Sequence, residues 1–329
     1  MRPTETPPPR VSIVLPTYKR AHLLPMAIRS VQAQTCPDWE LIVVDDNSPD
    51  DTPQVVAGFT DPRIRYVRNE PNLKLPRALN RGHALARGDY LTWTSDDNLY
   101  AERAIEAMVE RLARGDCDLV WADHWLFSED DDNGRPRDPR HDKLPDTVQL
   151  EKGNHMGACF LYARRVFDAL GGYDPELFLV EDYDFFIRAS RQFRFAHIGE
   201  PLYYFRRDDA TLYHSRFADV KASDFLVRFK NGLLDEAGVV TAMATLLLRH
   251  PAALRANWLR WLHRAADGRS WRLTRWQQEL ASRHLHDRLW PPVHRVLVDY
   301  REGRSSFGAA RDALRAQMQS LGTVAPDGA

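Results

Sequence analysis

Short apolar runs alternate with segments of helical spacing along the N-terminal part of the chain. The runs, each typical of a β-strand, are VSIVLPTY at 11–18, LIVV at 41–44, IRYVRN at 64–69 and YLTWT at 90–94. Apolar residues recur at helical spacing within 21–34, and a second predicted helix, 76–88, ends at Gly88. This alternation predicts an α/β fold with a Rossmann-like, mostly parallel sheet covered by helices.

Pairs of carboxylates follow two of the predicted strands, Asp45 with Asp46 and Asp96 with Asp97. Ligands of open α/β sheets bind beyond the carboxyl ends of the strands, so we expect the four acids to converge on one crevice. Crowded carboxylates raise one another's pKa unless a cation relieves them, and hard oxygen ligands favour Mg²⁺ or Mn²⁺. In the alternative interpretation, the second pair caps a helix that begins near Ala101 and residues 45–51 form a solvated turn.

Composition excludes several classes of protein. Hydrophobic residues at 43% and charged residues at 28% are ordinary for a globular chain. The opening MRPTETPPPR lacks the apolar centre of a secretory signal, which predicts a disordered tail over 1–10 and a cytoplasmic location. No GxGxxG or GxxxxGK[ST] follows a strand, which argues against a dehydrogenase or a P-loop enzyme. Cys36, Cys117 and Cys159 are odd in number and far apart, so we expect reduced, packed thiols.

Charge divides the chain into two regions. Residues 1–215 carry 27 Lys and Arg against 35 Asp and Glu, whereas residues 216–329 carry 18 against 11. A shift of this size indicates two regions with different surroundings, and we expect an α-helical region over 216–329. No nucleic-acid partner is expected.

Four ordered stretches resemble a known family. They read VSIVLPTYKR, QAQTCPDWELIVVDDNSPDDT, ARGDYLTWTSDDNLY and LGGYDPELFLVEDYDFFIRAS. In order and spacing they are similar to the family 2 glycosyltransferases over about 10–210, and especially to the spore-coat polysaccharide branch, whose metal motif is also two Asp followed by Asn. The resemblance implies a GT-A fold with a nucleotide-binding half, about 11–100, and an acceptor half, about 101–215. It also implies a nucleotide-diphosphate sugar donor, most of all a UDP-sugar, and Mn²⁺ or Mg²⁺.

The resemblance assigns roles on the donor side. The first-strand loop would hold the base, Asp46 would accept a hydrogen bond from a pyrimidine ring, and Asp97 would bind the metal directly. Lys74 and Arg77 lie where the family has basic residues near the diphosphate, although NEPNLKLPRALN lacks the usual glycine. For Tyr18 the alternative is a core ring. The donor-binding residues so implied are Pro16, Thr17, Tyr18, Arg20, Asp45, Asp46, Lys74, Arg77 and Asp96.

A second group of acids lies in LVEDYDFFIRAS. From the residues alone it is an acid-rich first turn of a helix, stabilised by the helix dipole. In the family the Asp of this Glu-Asp pair is the catalytic base, a position that Asp182 occupies. Such a base would deprotonate the acceptor hydroxyl for in-line attack with inversion. Glu181 would position the acceptor or metal water, and Asp184 is expected to be a cap or a salt-bridge partner.

Three further features concern the acceptor half. Residues 128–147 are polar and predict a mobile loop, which either closes over a substrate or is a surface excursion. Asn154, His155 and Met156 are candidates for the sugar or acceptor pocket, with packing an equal alternative for Met156. Many relatives carry Arg-X-His after the last strand, where this chain has Arg206, Arg207 and Asp208. His214, or Asp208 itself, is the candidate to replace that metal-directed His.

Two other classes of function are alternatives. A sugar-nucleotide nucleotidyltransferase would share the α/β domain and the metal acids, but it needs a glycine-rich loop after the first strand, and PTYKRAHLL has no glycine. A catalytically inactive nucleotide-sugar-binding module is the non-enzyme alternative. The presence of both Asp97 and Asp182 argues against it.

The segment 250–292 interleaves Trp and Arg in a predicted helical pattern. Five of the nine Trp lie there, and its apolar stripes are Leu254, Trp258, Trp261 and Ala265, then Leu273, Trp276 and Leu280. One interpretation is a helical bundle that buries these rings. The other is a peripheral membrane surface that docks on anionic lipid near a lipid-linked acceptor, each basic residue adding about 1 kcal/mol.

The membrane interpretation predicts binding to anionic liposomes that weakens as salt rises, because exposed charges are screened within about 10 Å at 0.1 M ionic strength. Replacing Arg260, Arg264, Arg272 and Arg275 by Gln should reduce the bound fraction in co-sedimentation. Binding that these four replacements leave unchanged, or its absence at low salt, would favour the packed bundle.

Overall fold

A computed structural model describes residues 9–131, 135–208, 211–248 and 275–322. The chain divides into two compact units, Met1–Asp208 and Asp209–Ala329, which are described separately below. Most of the predicted tail at 1–10, and the part of the Trp and Arg segment before residue 275, lie outside the described residues.

The first unit is built on one mixed sheet with strand order β3-β2-β1-β4-β8-β6-β9-β5, and β7 pairs with β6. Its strands are β1 Val11–Thr17, β2 Trp39–Asp45, β3 Ile64–Arg68, β4 Tyr90–Trp93, β5 Leu99–Tyr100, β6 Leu119–Phe127, β7 Arg140–Asp142, β8 Phe160–Ala163 and β9 Phe195–Arg206. The helices of this unit are α1 Leu24–Gln32, α2 Thr52–Ala57, α3 Leu75–Leu85, α4 Ala104–Ala113, α5 Arg164–Leu170 and α6 Glu181–Ser190. The predicted α/β fold is confirmed.

Strand direction brings the functional ends together. The first four strands in the sheet order, β3, β2, β1 and β4, are parallel, as predicted. The next strand, β8, is antiparallel to both β4 and β6, and β9 is parallel to β6. Two reversals restore the original direction, so β6 and β9 present their carboxyl ends at the same edge as β1, β2 and β4.

The core explains why these segments fold as they do. The four apolar side chains of α1 that recur at helical spacing are all buried, and so are all seven residues of β1 and of β2. Such continuous burial is expected of strands covered by helices on both faces. Cys117 and Cys159 are buried, and the three cysteines, all within the described residues, are free thiols.

The second unit is helical, as predicted. Its described helices are α7 Leu212–Ser215, α8 Phe217–Lys230, α9 Glu236–Leu248, α10 Arg275–Arg301 and α11 Phe307–Leu321. In α10 a buried stripe at four-residue spacing, Leu285, Leu289, Val293 and Leu297, faces the bundle, whereas the predicted core position Leu280 is 40% exposed. No helix in the described ranges is long and apolar enough to cross a bilayer.

Gly88 permits a close approach between the turn before β4 and the start of β1. A β-carbon built at this position would lie 2.7 Å from the Ser12 backbone N and 2.8 Å from the Val11 carbonyl C. The amide of Gly88 also donates to Ser12 Oγ at 2.8 Å. The obstructing atoms belong to the backbone of β1. A side chain at residue 88 would therefore displace either β1 or the start of β4.

We therefore predict that Gly88→Ala lowers the free energy of unfolding by about 1–3 kcal/mol, the usual range for overpacking. Gly199→Ala is the matched control, because a β-carbon at Gly199 in β9 meets no atom within 4 Å. Urea denaturation of the two variants measures the difference. Equal midpoints would contradict the close approach.

Candidate active site

The loop after β1 forms one wall of the site. Thr17, the last residue of β1, is buried, and its Oγ1 donates to Asp96 Oδ2 at 2.8 Å. The backbone then turns through Lys19, whose φ is 59°, and the Lys19 amide donates to Ser48 Oγ. Tyr18 is 42% exposed, so the core-ring alternative for it is wrong. Pro16 lies inside β1 opposite Val44 of β2 and is buried.

Asp96 and Asp97 lie in the turn after β4, close to the loop that follows β1. The Nη1 atom of Arg20 lies 2.5 Å from Asp97 Oδ2 and 3.7 Å from Asp96 Oδ1. Both carboxylates are largely withdrawn from water, with side chains 9% and 12% exposed. Burial, and next the charge of Asp97, raise the pKa of Asp96. These acids are not helix caps, because α4 begins at Ala104 after an N-terminal residue, Arg103, without a side-chain cap.

Arg206, the last residue of β9, fixes the turn that carries these acids. Its amide donates to Asn98 Oδ1 at 2.8 Å and its Nε to the Asp97 carbonyl at 3.3 Å. One guanidinium nitrogen also lies 2.7 and 2.8 Å from the two carboxylate oxygens of Asp130, and the guanidinium stacks on Phe127 at 4.6 Å. Sequence pattern does not predict this role, because the partners of Arg206 lie more than a hundred residues away or in the polar segment 128–147.

Asp45 is occupied by contacts within the protein. It is fully buried, and its carboxylate accepts from the Ser48 amide at 2.7 Å and from Tyr66 Oη and Arg68 Nη1 at 2.6 Å each. Burial and the Asp45 hydrogen bond raise the pKa of Tyr66 to about 12. The solvated-turn interpretation is therefore wrong for Asp45, which holds the turn after β2 against β3.

Asp46 holds the segment that leads into α3. Its carboxylate accepts from Asn69 Nδ2 and the Leu73 amide at 2.8 Å, and from the Lys74 amide at 2.9 Å. Lys74 adopts a φ of 69°, a region that favours glycine, at the point where the family's usual glycine is missing. The side chains of Lys74 and Arg77 are exposed near the start of α3.

A second acidic group opens α6. Asp182 is half-buried, and its carboxylate accepts from the Tyr183 amide at 2.7 Å and from Asn154 Nδ2 at 2.9 Å. Burial raises the pKa of Asp182 to about 6, although these two hydrogen bonds oppose the shift. Glu181 is buried, and burial together with the Asp182 charge raises its pKa. Asp184 forms the expected salt bridge, to Arg188 Nε at 2.6 Å.

Aromatic packing places α6 beside the end of β4. The ring of Phe160, at the start of β8, lies 6.0 Å from that of Trp93 and 5.1 Å from that of Phe186 in α6. The helix that carries Asp182 therefore packs close to the strand that leads to Asp96 and Asp97. Phe186 lies one helical turn after Asp182, so α6 packs at the edge of the sheet where β4 ends.

The remaining candidates are placed as follows. Asn154 contacts Asp182 directly and His155 is exposed, whereas Met156 is 2% exposed, which favours packing for that residue. His214 belongs to α7 in the second unit, where its Nδ1 lies 3.0 Å from Thr211 Oγ1. Its role at the metal stays a prediction. Asp208 lies in the first unit, 3.8 Å from Arg206 Nη1.

The described part of the polar segment 128–147 pairs with the sheet and is hydrogen-bonded to it. It contains β7, which pairs with β6, so the predicted mobile loop is wrong for residues 140–142. The fully buried Asp123 of β6 binds His141 Nε2, His197 Nε2 and the Leu144 amide at 2.8–2.9 Å. Burial alone would raise the pKa of Asp123, but these hydrogen bonds lower it. His197 Nδ1 also contacts Asp146 at 3.0 Å, a clamp that the sequence did not predict.

The chemistry of the turn after β4 fits a hard divalent cation. Within the described ranges, no three His, Cys, Asp or Glu side chains are grouped to hold a metal ion. Mg²⁺ characteristically takes one or two protein carboxylates and completes its shell with water and substrate phosphates. Asp97, with Asp96 beside it, supplies such a pair, so a cation held jointly with a diphosphate agrees with the donor set.

Comparisons with known proteins agree with this geometry. A sequence profile described as glycosyl transferase family 2 matches residues 12–171. The WcaA glycosyl transferase of Escherichia coli (strain K12) is 30% identical over 198 residues, 59% of this chain and 68% of that protein. The GalNAc(5)-diNAcBac-PP-undecaprenol beta-1,3-glucosyltransferase of Campylobacter jejuni is 36% identical over 110 residues, 32% of this chain and 36% of that protein. The chain thus spans about a third of the second relative.

A solved structure shares the fold. The mannosyltransferase PcManGT from Pyrobaculum calidifontis, in complex with GDP-Man and Mn²⁺, superposes with a TM-score of 0.57 at 18% identity, over 95% of this chain and 88% of that chain. At this identity the similarity is evidence for the fold alone.

Proposed function

The chain belongs to glycosyltransferase family 2, and we propose that it transfers a sugar, with inversion, from a nucleotide-diphosphate donor to a hydroxyl of a glycan or lipid-linked glycan. A UDP-sugar is the proposed donor and Mn²⁺ or Mg²⁺ the proposed cofactor. The GT-A fold that the family resemblance implied is confirmed. Resemblance to the spore-coat branch stays a prediction.

The proposal rests on two acidic groups that lie in different environments at one edge of the sheet. Asp96 and Asp97 are paired with a cation, Arg20. Asp182 is half-buried, its carboxylate accepts hydrogen bonds from the neutral Tyr183 amide and Asn154 side chain, and burial raises its pKa. One group is suited to charge neutralisation and the other to proton transfer, which are the two tasks of an inverting transfer.

On the donor side, Asp97 and Asp96 would hold the cation against the diphosphate. When bound, that cation neutralises charge on the departing nucleoside diphosphate without a proton transfer. Thr17, Tyr18 and the segment held by Asp46 would bind the nucleoside. The exposed ring of Tyr18 is available for stacking on a base.

On the acceptor side, Asp182 would take the proton of the attacking hydroxyl. A carboxylate with a pKa near 6 is a stronger base than an ordinary Asp and is still ionised at neutral pH. Asn154 would orient this carboxylate through its hydrogen bond. A lipid-linked acceptor is supported by the C. jejuni relative, whose name specifies an undecaprenyl-diphosphate-linked glycan. Contact of residues 250–292 with a membrane remains part of this proposal.

Asp97→Asn should strongly reduce sugar transfer while the protein stays folded, because the amide loses the charge that holds the cation. We expect a loss on the order of 10²–10³-fold, as for removal of one electrostatic contact in a transition state. The loss is measured as the rate of sugar transfer, and as the rate of slow donor hydrolysis, with UDP-sugars and GDP-sugars. Each assay is run with Mn²⁺ and with excess chelator. Asp116→Asn, at an exposed acid after α4, is the control. Full wild-type activity in chelator would contradict the cation requirement.

Asp182→Asn should lower kcat by about 10²–10⁴-fold and leave donor affinity nearly unchanged, because a base acts on the acceptor in the transition state. The wild-type kcat/KM should fall as the pH drops through about 6, where Asp182 becomes protonated. Asn154→Ala should move this acid limb to higher pH, because its hydrogen bond favours the ionised form.

The stereochemical outcome is an independent check of the base. An α-linked donor should give a β-linked product by NMR. Retention of configuration would contradict the in-line mechanism, and an equal loss of donor affinity in Asp182→Asn would place Asp182 in donor binding.

A further inference from the structure

Arg20 lies between the two carboxylates that the proposed function assigns to a cation. Its Nη1 is 2.5 Å from Asp97 Oδ2 and 3.7 Å from Asp96 Oδ1. The charge of Asp208 also acts on this guanidinium. Arg20 therefore already supplies positive charge at these oxygens.

Electrostatics explains why such a partner is needed. Two neighbouring carboxylates that are each about nine-tenths buried repel one another, and burial removes the water that would screen them. A guanidinium relieves the repulsion. A divalent cation bound by Asp97 would share this carboxylate with the guanidinium, and two cations at one carboxylate would repel each other.

The backbone around Arg20 is anchored, whereas its side chain reaches solvent. The Lys19 amide donates to Ser48 Oγ at 3.1 Å, and the Ala21 amide donates to Asp50 Oδ2 at 3.1 Å. The Arg20 side chain is 23% exposed. It extends from the same loop as Tyr18, next to the proposed nucleotide site. The planar fork of a guanidinium matches the oxygens of a phosphate as well as those of a carboxylate.

We propose that Arg20 is an exchangeable counter-ion, which pairs with Asp97 until a divalent cation displaces it and then binds the diphosphate of the nucleotide. This inference rests on the proposed function. The exchange of Arg20 makes the binding of the cation and of the nucleotide cooperative, because the cation releases the guanidinium that the diphosphate needs. Linkage requires each ligand to tighten the other by the same factor, typically about 5–150-fold.

The test measures binding and needs no acceptor. Mn²⁺ is titrated into the full chain at constant ionic strength, with and without saturating UDP, and free Mn²⁺ is followed by EPR. UDP is titrated in turn, with and without Mn²⁺, by calorimetry, and GDP is tested in parallel. The neutral variants are Arg20→Gln and Arg20→Ala, and Arg20→Lys retains the charge without the fork. Arg29→Gln, at an exposed position of α1, is the matched control for loss of one positive charge.

In the wild type and in Arg29→Gln, UDP should tighten Mn²⁺ by at least about fivefold. In Arg20→Gln and Arg20→Ala, Mn²⁺ without UDP should bind about fivefold more tightly than in the wild type, because its competitor is gone, and UDP without Mn²⁺ should bind more weakly. The coupling factor should fall below that of the wild type, and the part that remains comes from direct contact between the cation and the diphosphate. Arg20→Lys should bind Mn²⁺ without UDP about as the wild type does.

Weaker Mn²⁺ binding by the neutral variants without UDP, or an unchanged coupling factor, would overturn the exchange and leave the proposed function intact. Failure of the wild type to bind UDP or GDP, with or without Mn²⁺, would overturn the proposed function and the exchange with it.

Discussion

Negative charge crowded at one edge of a sheet is the constraint on which the rest of the structure depends. Six strands end there in the same direction, and acids follow or terminate several of them. Each acid is stabilised by a different set of partners. Asp45 pairs with Arg68, Asp46 accepts from backbone amides, Asp97 pairs with Arg20, and Asp123, inside β6, is hydrogen-bonded to two histidines. Asp182 accepts hydrogen bonds from neutral donors, and burial raises its pKa.

The partners of each carboxylate determine which function that acid can have. An acid whose oxygens are filled by fixed protein donors, such as Asp45, shapes the backbone and has little capacity left for a ligand. An acid paired with a flexible cation, such as Asp97, can change partner. An acid with a raised pKa can move a proton near neutral pH. The same residue type therefore serves as scaffold, cation ligand and base, and the environment selects among the three.

Local pattern predicted the parts of this arrangement that arise from the neighbours of a residue in sequence. Three predicted strand ends lie within one residue of the observed ends at Thr17, Asp45 and Trp93. The buried face of α1 and the acidic first turn of α6 also follow from periodicity and from the position of polar residues. The family motifs then suggested roles. Contacts between distant segments were beyond this reasoning. Arg206 meets Asp97 because β9 pairs with β5, the strand that follows the turn after β4, and His197 meets Asp123 because β9 pairs with β6.

The edge position of β3 has a consequence for local stability. An edge strand of five half-exposed residues would ordinarily be among the first to open in hydrogen exchange. Here Arg65 contacts Glu40, and Tyr66 and Arg68 contact Asp45, two acids buried in β2. Opening β3 would leave those acids buried without their partners, which adds an electrostatic cost to the loss of the ladder hydrogen bonds. Ion pairs and a hydrogen bond thus link the edge strand β3 to the interior of the sheet, and the segment that leads from β3 to the proposed nucleotide site gains rigidity from them.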